Sequence, residues 1–346
     1  MPPRDRSSTH WPRSSLDGSG DDAHVRGAGL LVPISGAGRR ERVHAGSSRR
    51  FLAHPKSRTL SWTMTRGADI SPLSLLLGRV DAVADGAAPI DTVPSGFPSL
   101  DKLLGGGLRR GDLVVLGGDV GSGKSALALA IALRAAGARR SAVFYSGEMN
   151  PERVLERVLA IEGRTRIDDL RRGTLDEATR AGVGAAAIRL RDELPIVERV
   201  PAGGVAAIAE ELSALRTMEL VVIDGLDALL PGANSTEEEE AATIRALKRL
   251  ALEARTAVLV TSPLPHLAAR DDRRPVLDDF GARGAVKERA DVVLGLFREG
   301  MYDGARGIEG ATELLVRKNR NGGTGYVDLY FYEQWMRFED MLDPDR

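Results

Sequence analysis

Residues 118–125, GDVGSGKS, have the composition and spacing of a loop that binds phosphate groups. The glycines let backbone N–H groups approach phosphate oxygens closely, and a helix beginning within the loop attracts their negative charge. Lys124 is expected to contact the outer phosphates and Ser125 to bind Mg²⁺. The sequence therefore predicts that the chain binds a nucleoside triphosphate, taken as ATP, together with Mg²⁺. The residues predicted to surround the phosphates are Gly118, Gly121, Ser122, Gly123, Lys124 and Ser125.

Carboxylates follow two apolar runs elsewhere in the chain. Asp224 ends LVVID, and ligands of open α/β sheets lie beyond the carboxyl ends of the strands. We therefore expect Asp224 to hold Mg²⁺ through water, with a simple turn residue as the alternative. Glu148 follows VFYS and could polarise an attacking water. Its position fits equally well an acidic residue ahead of a helix that begins near Pro151, where negative charge is favourable.

Two basic residues, Lys318 and Arg320, lie in VRKNRNGG near the end of the chain. Basic residues at the rim of a sheet are usually only solvated. Near a γ-phosphate they would stabilise the charge of the transition state, often across a subunit boundary. The residues alone leave both interpretations open.

Apolar runs alternate with helical stretches from Thr92 onward, and this alternation must position the candidate residues. Strands that alternate with helices predict parallel βαβ units. The last two runs flank NGGTG, which predicts a β-hairpin. The expected fold class is α/β, with a mostly parallel central sheet and a C-terminal β-hairpin. The predicted strands are residues 112–118, 141–146, 195–200, 220–224, 257–262, 291–297, 312–319 and 326–332.

The composition is that of an ordinary globular protein. Of 346 residues, 28% are charged and 42% hydrophobic, which allows one large domain and an extension. The chain has no cysteine, so neither a disulfide nor a thiolate metal site is expected, and a cytoplasmic location fits. No apolar run approaches the roughly 18 residues of a membrane span. The net charge of −1 divides into +6 over residues 1–60 and −7 over the rest, so any nucleic-acid contact must be a local basic stripe.

Residues 1–65 differ from the rest, because they are rich in Arg, Ser, Gly and Pro and show no apolar period. This predicts a disordered basic extension. A basic arm or a targeting peptide is the alternative, although the apolar core of a secretory signal is missing. Translation could also begin at Met64, close to the change in composition. A peptide from upstream of Met64, found by mass spectrometry of the native protein, would exclude that start.

Residues 66–91 are expected to form a linker that contains one short amphipathic helix. Ser71 is a suitable N-cap and Pro72 a suitable first helical residue. Apolar residues then recur at helical spacing as far as Val83, and the helix should end near Gly86. Its apolar face needs a surface to dock on, either in its own domain or in a neighbouring subunit.

Four consecutive glutamates in STEEEEAATIRALKRL would repel DNA if they lined a channel. They also fit the first turn of a helix, where negative charge is favourable. Ser235 and Glu238 predict a capping box at that point. We prefer the helical interpretation.

In several segments the chain resembles the C-terminal motor domain of the DnaB-type replicative helicases, which are hexameric ATPases of superfamily 4 with the RecA fold. PSGFPSLDKLLGGGLRRGDLVVL resembles the entry into the motor, and EMNPERVLERVLAIEGRTRIDDLRRGTL the family's second motif. RPVLDDFGARGAVKERADVVLGLFR resembles its DNA-loop motif, and ELLVRKNRNGGTGYVDLYFYEQWMRF its closing hairpin. The resemblance implies a RecA-like P-loop NTPase core over residues 92–346.

The resemblance also implies a role for each candidate residue. Glu148 matches the catalytic glutamate, and Asp224 matches the Walker B aspartate. Arg320 matches the arginine finger, with Lys318 as its companion, both acting on the neighbouring subunit's nucleotide. Arg157 lies where the family has an arginine near the nucleotide. In the DNA-loop motif the candidates for contact with DNA are Arg283, Gly284, Lys287 and Arg289.

The chain departs from the family pattern at two places. Where the family usually has a glutamine that senses the γ-phosphate, this chain has Pro263, which has no N–H to donate. Ser262 or His266 could replace it. In the DNA loop, Gly281 and Ala282 stand where the family has an Arg-Glu pair. The basic residues nearby could still meet DNA phosphates, which need charge more than fixed geometry, or they could form a solvated helix face.

These residues lead to a hypothesis and its alternatives. The first is a DnaB-like helicase motor, a homo-hexamer that hydrolyses ATP between its subunits on single-stranded DNA. The second is a RecA-fold ATPase of the RadA or KaiC kind, suggested by LDKLLGGGL and VVIDGLDALL. The third is a nucleotide-gated DNA-binding protein with weak turnover. No membrane contact is expected, and a primase or loader contact is doubtful because the chain before Thr92 is too short and polar for the family's helical N-terminal domain.

Overall fold

The computed structural model describes residues 71–86, 91–215, 218–232, 234–264, 267, 270–302 and 308–341. The predictions for residues 1–65, including a start at Met64, lie outside the described residues. The strands are β1 (Thr92–Val93), β2 (Leu108–Arg109), β3 (Leu113–Gly118), β4 (Ala142–Ser146), β5 (Ile196–Arg199), β6 (Leu220–Asp224), β7 (Ala257–Pro263), β8 (Val292–Phe297), β9 (Ala311–Asn319), β10 (Gly325–Tyr332) and β11 (Arg337–Asp340). The α-helices are α1 (Pro72–Ala84), α2 (Pro98–Leu104), α3 (Lys124–Gly137), α4 (Pro151–Gly163), α5 (Ile167–Arg172), α6 (Glu177–Glu193), α7 (Gly204–Ala214), α8 (Glu237–Ala254) and α9 (Ala285–Arg289).

Nine of these strands form one sheet in the order β11-β10-β9-β8-β3-β7-β6-β4-β5. Within this order, the six strands β8, β3, β7, β6, β4 and β5 are neighbours that all pair in parallel. The strands β9, β10 and β11 extend the sheet with antiparallel pairs. The α/β class, the mostly parallel sheet and the C-terminal hairpin of β9 and β10 are therefore confirmed. The strand β11 was not predicted, because its four residues, RFED, show no apolar run.

Both faces of the sheet are covered, and β3 lies near its centre. The side chains of Val114 and Leu116 belong to one apolar core, and those of Leu113 and Val115 to another. Such alternation follows from the two-residue period of a strand. The first core contains α3, whose alanines and leucines are buried on nearly every side. The second contains much of α7 and α8. A strand buried on both faces has the continuous apolar sequence seen in LVVLGG.

The helix α8 corrects one prediction. Its N-cap is Thr236, and the capping box joins Thr236 to Glu239 rather than Ser235 to Glu238. The run of glutamates permits either register. The Ser235 hydroxyl instead donates to the carbonyl of Gly232, at 2.7 Å, which leaves the cap to the next residue.

The helix predicted in residues 66–91 is present as α1. Ser71 is its N-cap and Pro72 its first residue, and it ends at Ala84. None of its residues is buried, and its apolar face is open, with Val80 56% exposed. Among the described residues, no helix combines the length and apolar character needed to cross a bilayer.

Candidate active site

The phosphate loop joins β3 to α3 at the carboxyl edge of the sheet. Gly121 and Gly123 have φ values of +80° and +99°, in the left-handed region that favours glycine. A Cβ on Gly123 would lie 2.9 Å from the ring of Phe338, so the loop packs directly on β11. The helix α3 has no side-chain cap and no acidic residue in its first turn. Its first N–H groups therefore remain available to an anion.

Lys124 lies among carboxylates within this loop. Its Nζ donates a hydrogen bond of 2.8 Å to the backbone carbonyl of Asp119. Burial lowers the pKa of Lys124, whereas the negative charges of Asp224, Asp119, Glu148 and Asp227 raise it. These groups are therefore close enough to act on one ammonium group. The structure therefore places Lys124, Asp224 and Glu148 in one region, at the carboxyl edge of the sheet.

Asp224 ends β6 and is only 3% exposed. Its Oδ1 accepts a hydrogen bond of 2.8 Å from the Thr261 hydroxyl, whereas Oδ2 has no hydrogen-bond partner in the described part of the chain. Burial raises the pKa of Asp224, and the nearby Thr261 and Ser125 hydroxyls and the Arg157 and Lys124 charges lower it. A buried oxygen without a partner is costly. The arrangement therefore fits a hydrated cation between Ser125 and Asp224.

The Ser122 hydroxyl is a second buried polar group without a partner among the described residues. Ser122 is 1% exposed, and its Oγ lies 2.8 Å from where a Cβ on Gly118 would be. A phosphate oxygen would give this hydroxyl its missing partner. No group of three or more His, Asp or Glu side chains in the described residues could hold a metal alone. The donors present instead match Mg²⁺, which keeps waters and binds protein and phosphate oxygens together.

Gly147 holds the loop that carries Glu148 against the end of β6. Its N–H donates to the carbonyl of Asp224 at 2.6 Å. A Cβ on Gly147 would lie 2.3 Å from the Cβ of Ala228, so a larger residue does not fit. Glu148 is exposed and directly follows Gly147, and its negative charge raises the pKa of Lys124.

The alternative interpretation of Glu148, as an acidic residue ahead of a helix, concerns its charge and does not depend on a hydrogen bond to the cap. The helix α4 begins at Pro151, as expected, and its N-cap is Asn150. No side-chain hydrogen bond caps it. Among the described residues Glu148 has no hydrogen-bond partner, and its charge acts on Lys124.

Arg157 lies on α4 and is half-buried. It is near enough to Asp224 for its charge to lower the pKa of that carboxyl. Arg157 is therefore close enough to the site for its charge to act on Asp224.

Arg320 and Lys318 lie at the opposite edge of the sheet. The Nε of Arg320 is 2.8 Å from the Oδ1 of Asp291, whose Oδ2 accepts from the N–H of Leu113 at the start of β3. The phosphate loop follows the other end of β3, about 17 Å away at 3.3 Å per residue. Lys318 donates to the carbonyls of Lys287 and Ala290, at 2.6 and 2.5 Å. Neither side chain joins the phosphate loop of its own subunit.

The basic residues predicted to meet DNA have partners within the chain. Arg283 forms an ion pair with Glu238, and Lys287 is 2.6 Å from Asp278. All four of these side chains are more than half exposed, so the ion pairs are weak and phosphate could displace them.

The other two residues of this motif frame α9. Gly284, with a φ of +80°, is the N-cap of α9. Arg289 ends α9 and is exposed.

The two departures from the family pattern lie in one cavity of about 530 Å³, which Pro263 and Gly281 line with Asp227 and Glu240. Pro263 pairs with Gly118 in the register of β3 and β7, beside the start of the phosphate loop. Pro263, which stands where the family has a glutamine, therefore lies next to the site, but it has no polar side chain.

Of the two proposed replacements for that glutamine, only Ser262 lies among the described residues. The hydroxyl of Ser262 is 3.4 Å from the carbonyl of Pro263 and is only 6% exposed. His266 lies outside the described residues.

Sequence reasoning missed contacts that close the site. The Tyr302 hydroxyl donates to the Oδ2 of Asp119 at 2.8 Å, and burial raises the pKa of Tyr302. Arg298 donates to the carbonyl of Gly121 at 3.3 Å. Asp119 lies inside the loop motif and could have been noted, but nothing in the pattern indicates that residues after β8 return to the loop.

Comparison with known proteins gives the family. The model of the family described as "DnaB-like helicase C terminal domain" matches residues 92–340. The "Replicative DNA helicase DnaB" of Leifsonia xyli subsp. xyli (strain CTCB07) is 30% identical over 277 residues, which are 78% of this chain and 60% of that protein. The "Replicative DNA helicase DnaC" of Bacillus subtilis (strain 168) is 29% identical over 260 residues, 73% of this chain and 57% of that protein. This chain thus spans less than two thirds of these relatives.

Two solved structures have the same fold. One of them, the structure of an ATPase domain, is 24% identical with a TM-score of 0.72, over 79% of this chain and 100% of the other. The structure titled "The Structure Of A DnaB-Like Replicative Helicase And Its Interactions With Primase" is 24% identical with a TM-score of 0.70, over 80% of this chain and 67% of the other. The RadA-like or KaiC-like alternative is not favoured by the family and sequence matches. By its sequence, fold and site, the chain belongs to the family of DnaB-like helicase C-terminal domains.

Proposed function

We propose that this chain is the motor of an ATP-dependent DNA helicase, which hydrolyses ATP between the subunits of a ring on single-stranded DNA. The observation that carries the proposal is the separation of two half-sites. Lys124, Asp224 and Glu148 lie together at the carboxyl edge of the sheet, and Arg320 lies at the amino edge. One subunit cannot supply both halves to one nucleotide, but two neighbouring subunits can.

At the carboxyl edge each residue has a distinct task. The Lys124 ammonium and the N–H groups at the start of α3 would bind the β- and γ-phosphates. Ser125 and Asp224 would hold Mg²⁺, Asp224 through water. When bound, Mg²⁺ neutralises phosphate charge in the transition state. Arg157, beside Asp224, would add a positive charge at the same end of the phosphates.

Glu148 would accept a proton from the attacking water, or orient that water towards the γ-phosphate. It is exposed, and it is held near Lys124 by the tight packing of Gly147 against Ala228. From the neighbouring subunit, Arg320 would stabilise the charge that develops on the γ-phosphate, with Lys318 as its companion.

A site that is divided between two subunits requires the subunits to assemble. We propose a homo-hexameric ring in the cytoplasm in which α1 packs on the adjacent subunit. The open apolar face of α1 supports this arrangement, since none of its residues is buried against its own chain. Single-stranded DNA would run through the ring and meet Arg283, Gly284, Lys287 and Arg289.

The test is ATP turnover measured with and without single-stranded DNA, in assembled protein. We expect turnover that DNA stimulates and that Lys124→Ala, Glu148→Gln and Arg320→Ala each abolish. Arg172→Ala, an exposed arginine of α5, is the matched control and should turn over normally. Tight ATP binding with negligible turnover under every condition would contradict the proposal.

Mixed assemblies test sharing of the site. Subunits with Arg320→Ala keep an intact phosphate loop, and subunits with Lys124→Ala keep an intact finger, so a mixture should regain part of the turnover. A mixture that stays inactive at every ratio would contradict action between subunits. A strand-displacement assay then separates unwinding from remodelling.

The second candidate function, a nucleotide-gated DNA-binding protein with weak turnover, is favoured by one observation. Pro263 and Gly281 line one cavity beside the phosphate loop, and neither can form the side-chain hydrogen bonds that the family has there. Turnover that DNA does not stimulate, together with ATP-dependent DNA binding, would favour this candidate over the motor.

A further inference from the structure

Asp291, directly before β8, is almost completely buried, with its side chain 3% exposed. Its Oδ2 accepts hydrogen bonds from the N–H of Leu113, at 2.8 Å, and from the Nζ of Lys248, at 2.6 Å. Its Oδ1 lies 2.8 Å from the Nε of Arg320. Its backbone carbonyl also accepts from the N–H of Arg320, at 2.8 Å. One residue thus holds both the main chain and the side chain of Arg320.

This ion pair differs from an ordinary surface pair. Ion pairs between two exposed side chains contribute little to stability, because both side chains lose conformational entropy and water screens the attraction between their charges. Here the carboxylate is already fixed by Leu113 and Lys248, and only Arg320, which is 51% exposed, must be ordered. The geometry of the guanidinium therefore depends on Asp291.

The contacts leave one end of the guanidinium available. Nε lies in the ion pair with Asp291, 2.8 Å from its Oδ1, and Nη2 donates to the carbonyl of Glu288 at 3.0 Å. Within the described residues Nη1 makes no hydrogen bond. A guanidinium has five N–H donors in a fixed plane, so fixing Nε and Nη2 also fixes the direction of Nη1.

We propose that Asp291 is a positioning residue for the arginine finger, holding Arg320 so that Nη1 faces the nucleotide of the neighbouring subunit. This inference rests on the proposed function, in which Arg320 acts between subunits. Asp291 does not touch the nucleotide, and its effect passes through the orientation of Arg320. Catalysis is sensitive to such orientation, because a displacement of about 1 Å can cost about a hundredfold in rate.

The first variant is Asp291→Asn. We expect kcat for ATP to fall by about tenfold to a hundredfold with little change in KM, since Arg320 would act on the transition state rather than on ATP binding. The matched control is Glu219→Gln. Glu219 also directly precedes a strand and accepts from an arginine, Arg140, at 3.0 Å, but that arginine has no part in the site. The control should keep its kcat.

A second variant keeps the test decisive if Asp291→Asn does not fold. That change removes the charged partner of the Lys248 ammonium and leaves it only the carbonyl of Gly111, at 2.8 Å, which can destabilise the fold. The double variant Lys248→Met with Asp291→Asn removes both charges. It should fold and still show the lower kcat when compared with Lys248→Met alone. Equal kcat in these two proteins would overturn the inference.

Mixed assemblies distinguish the loss of the arginine finger, Arg320, from general damage to the Asp291→Asn subunit. Asp291→Asn subunits should regain turnover when mixed with Lys124→Ala subunits, and should not when mixed with Arg320→Ala subunits. If Arg320→Ala abolishes turnover but Asp291→Asn retains normal kcat, the inference fails and the proposed function stands. If Arg320→Ala itself retains full turnover, the proposed function fails first.

Discussion

The Thr261 hydroxyl donates a hydrogen bond of 2.8 Å to Asp224 across the ends of the neighbouring strands β7 and β6. It fixes one oxygen of the carboxylate and leaves the other without a partner among the described residues. Removing a residue that orients a metal-binding carboxylate typically lowers metal affinity by about tenfold to a hundredfold.

Thr261→Val should therefore lower the apparent affinity for the Mg²⁺ that supports ATP turnover. We expect the Mg²⁺ concentration for half-maximal turnover to rise by about tenfold or more, because the Asp224 carboxylate loses the hydrogen bond that orients it. Magnesium titrations of ATPase rate measure this directly. Thr243→Val, on α8, is the control, since its hydroxyl bonds only to the helix carbonyl of Glu239. An unchanged Mg²⁺ dependence in Thr261→Val would contradict the prediction.

Gly147→Ala should damage both stability and turnover. The added Cβ would lie 2.3 Å from the Cβ of Ala228 and 2.9 Å from the carbonyl of Asp224, so the loop before α4 must move. We expect a loss of about 1–3 kcal/mol in the free energy of unfolding, typical of overpacking, and lower kcat because Glu148 moves with the loop. Urea denaturation and ATPase assays check the two effects.

The control for this change is Gly184→Ala in the middle of α6, where an added Cβ meets nothing within 4 Å. Alanine is favoured over glycine within a helix by about 1 kcal/mol, so this variant should be as stable as the wild type or more so. If the two variants have the same free energy of unfolding, the close packing of Gly147 against Ala228 does not limit the residue at this position.

The sequence predicts the half of the site at the carboxyl edge well. Lys124, Asp224 and Glu148 each follow an apolar run, and the carboxyl ends of parallel strands lie at one edge of the sheet. Their proximity therefore follows from strand direction alone. Spacing leaves the role of Glu148 open, and its place near the phosphate loop, where its negative charge raises the pKa of Lys124, favours the catalytic interpretation.

The other half could not be predicted in the same way. Arg320 meets Asp291 because β9 pairs antiparallel with β8, with Asn319 opposite Val292. A register of this kind depends on tertiary packing rather than on local pattern. The capping box was misplaced by one residue for a different reason, since Ser235 and Thr236 both precede a glutamate at the required spacing.

Asp112 should make stability depend on pH. Burial and, secondarily, the negative charge of Asp291 raise its pKa to about 6, while the charges of Lys248, Arg109 and Arg320 act against this. A carboxyl with a raised pKa in the folded state binds more protons folded than unfolded at intermediate pH. Its contribution to stability is complete below its unfolded pKa and is lost as the pH rises through about 6.

Asp112→Asn removes this contribution. The Tm of the variant minus that of the wild type should therefore grow between about pH 4 and pH 7. Thermal unfolding of both proteins in one buffer series measures the difference. Asp271→Asn, at an exposed aspartate, controls for the loss of a charge. A difference that stays constant across this range would show that the carboxyl of Asp112 does not titrate as described.

The helix α1 should be needed for assembly but not for folding. Leu76 and Val80 lie one turn apart on its apolar face, and both are more than half exposed. Changing both to glutamate removes that face without disturbing the core, so the Tm should stay the same while the mass in solution falls. Since Arg320 acts between subunits in the proposed site, turnover should fall with the assembly.

Gly78→Glu is the control, because it adds one of the two negative charges of the double variant, but on the opposite face of the helix, where a Cβ meets nothing within 4 Å. Sedimentation and light scattering compare the three proteins. If the double variant assembles as the wild type does, α1 does not join the subunits, and other surfaces must hold the ring together. If Gly78→Glu also dissociates, charge rather than the apolar face decides assembly.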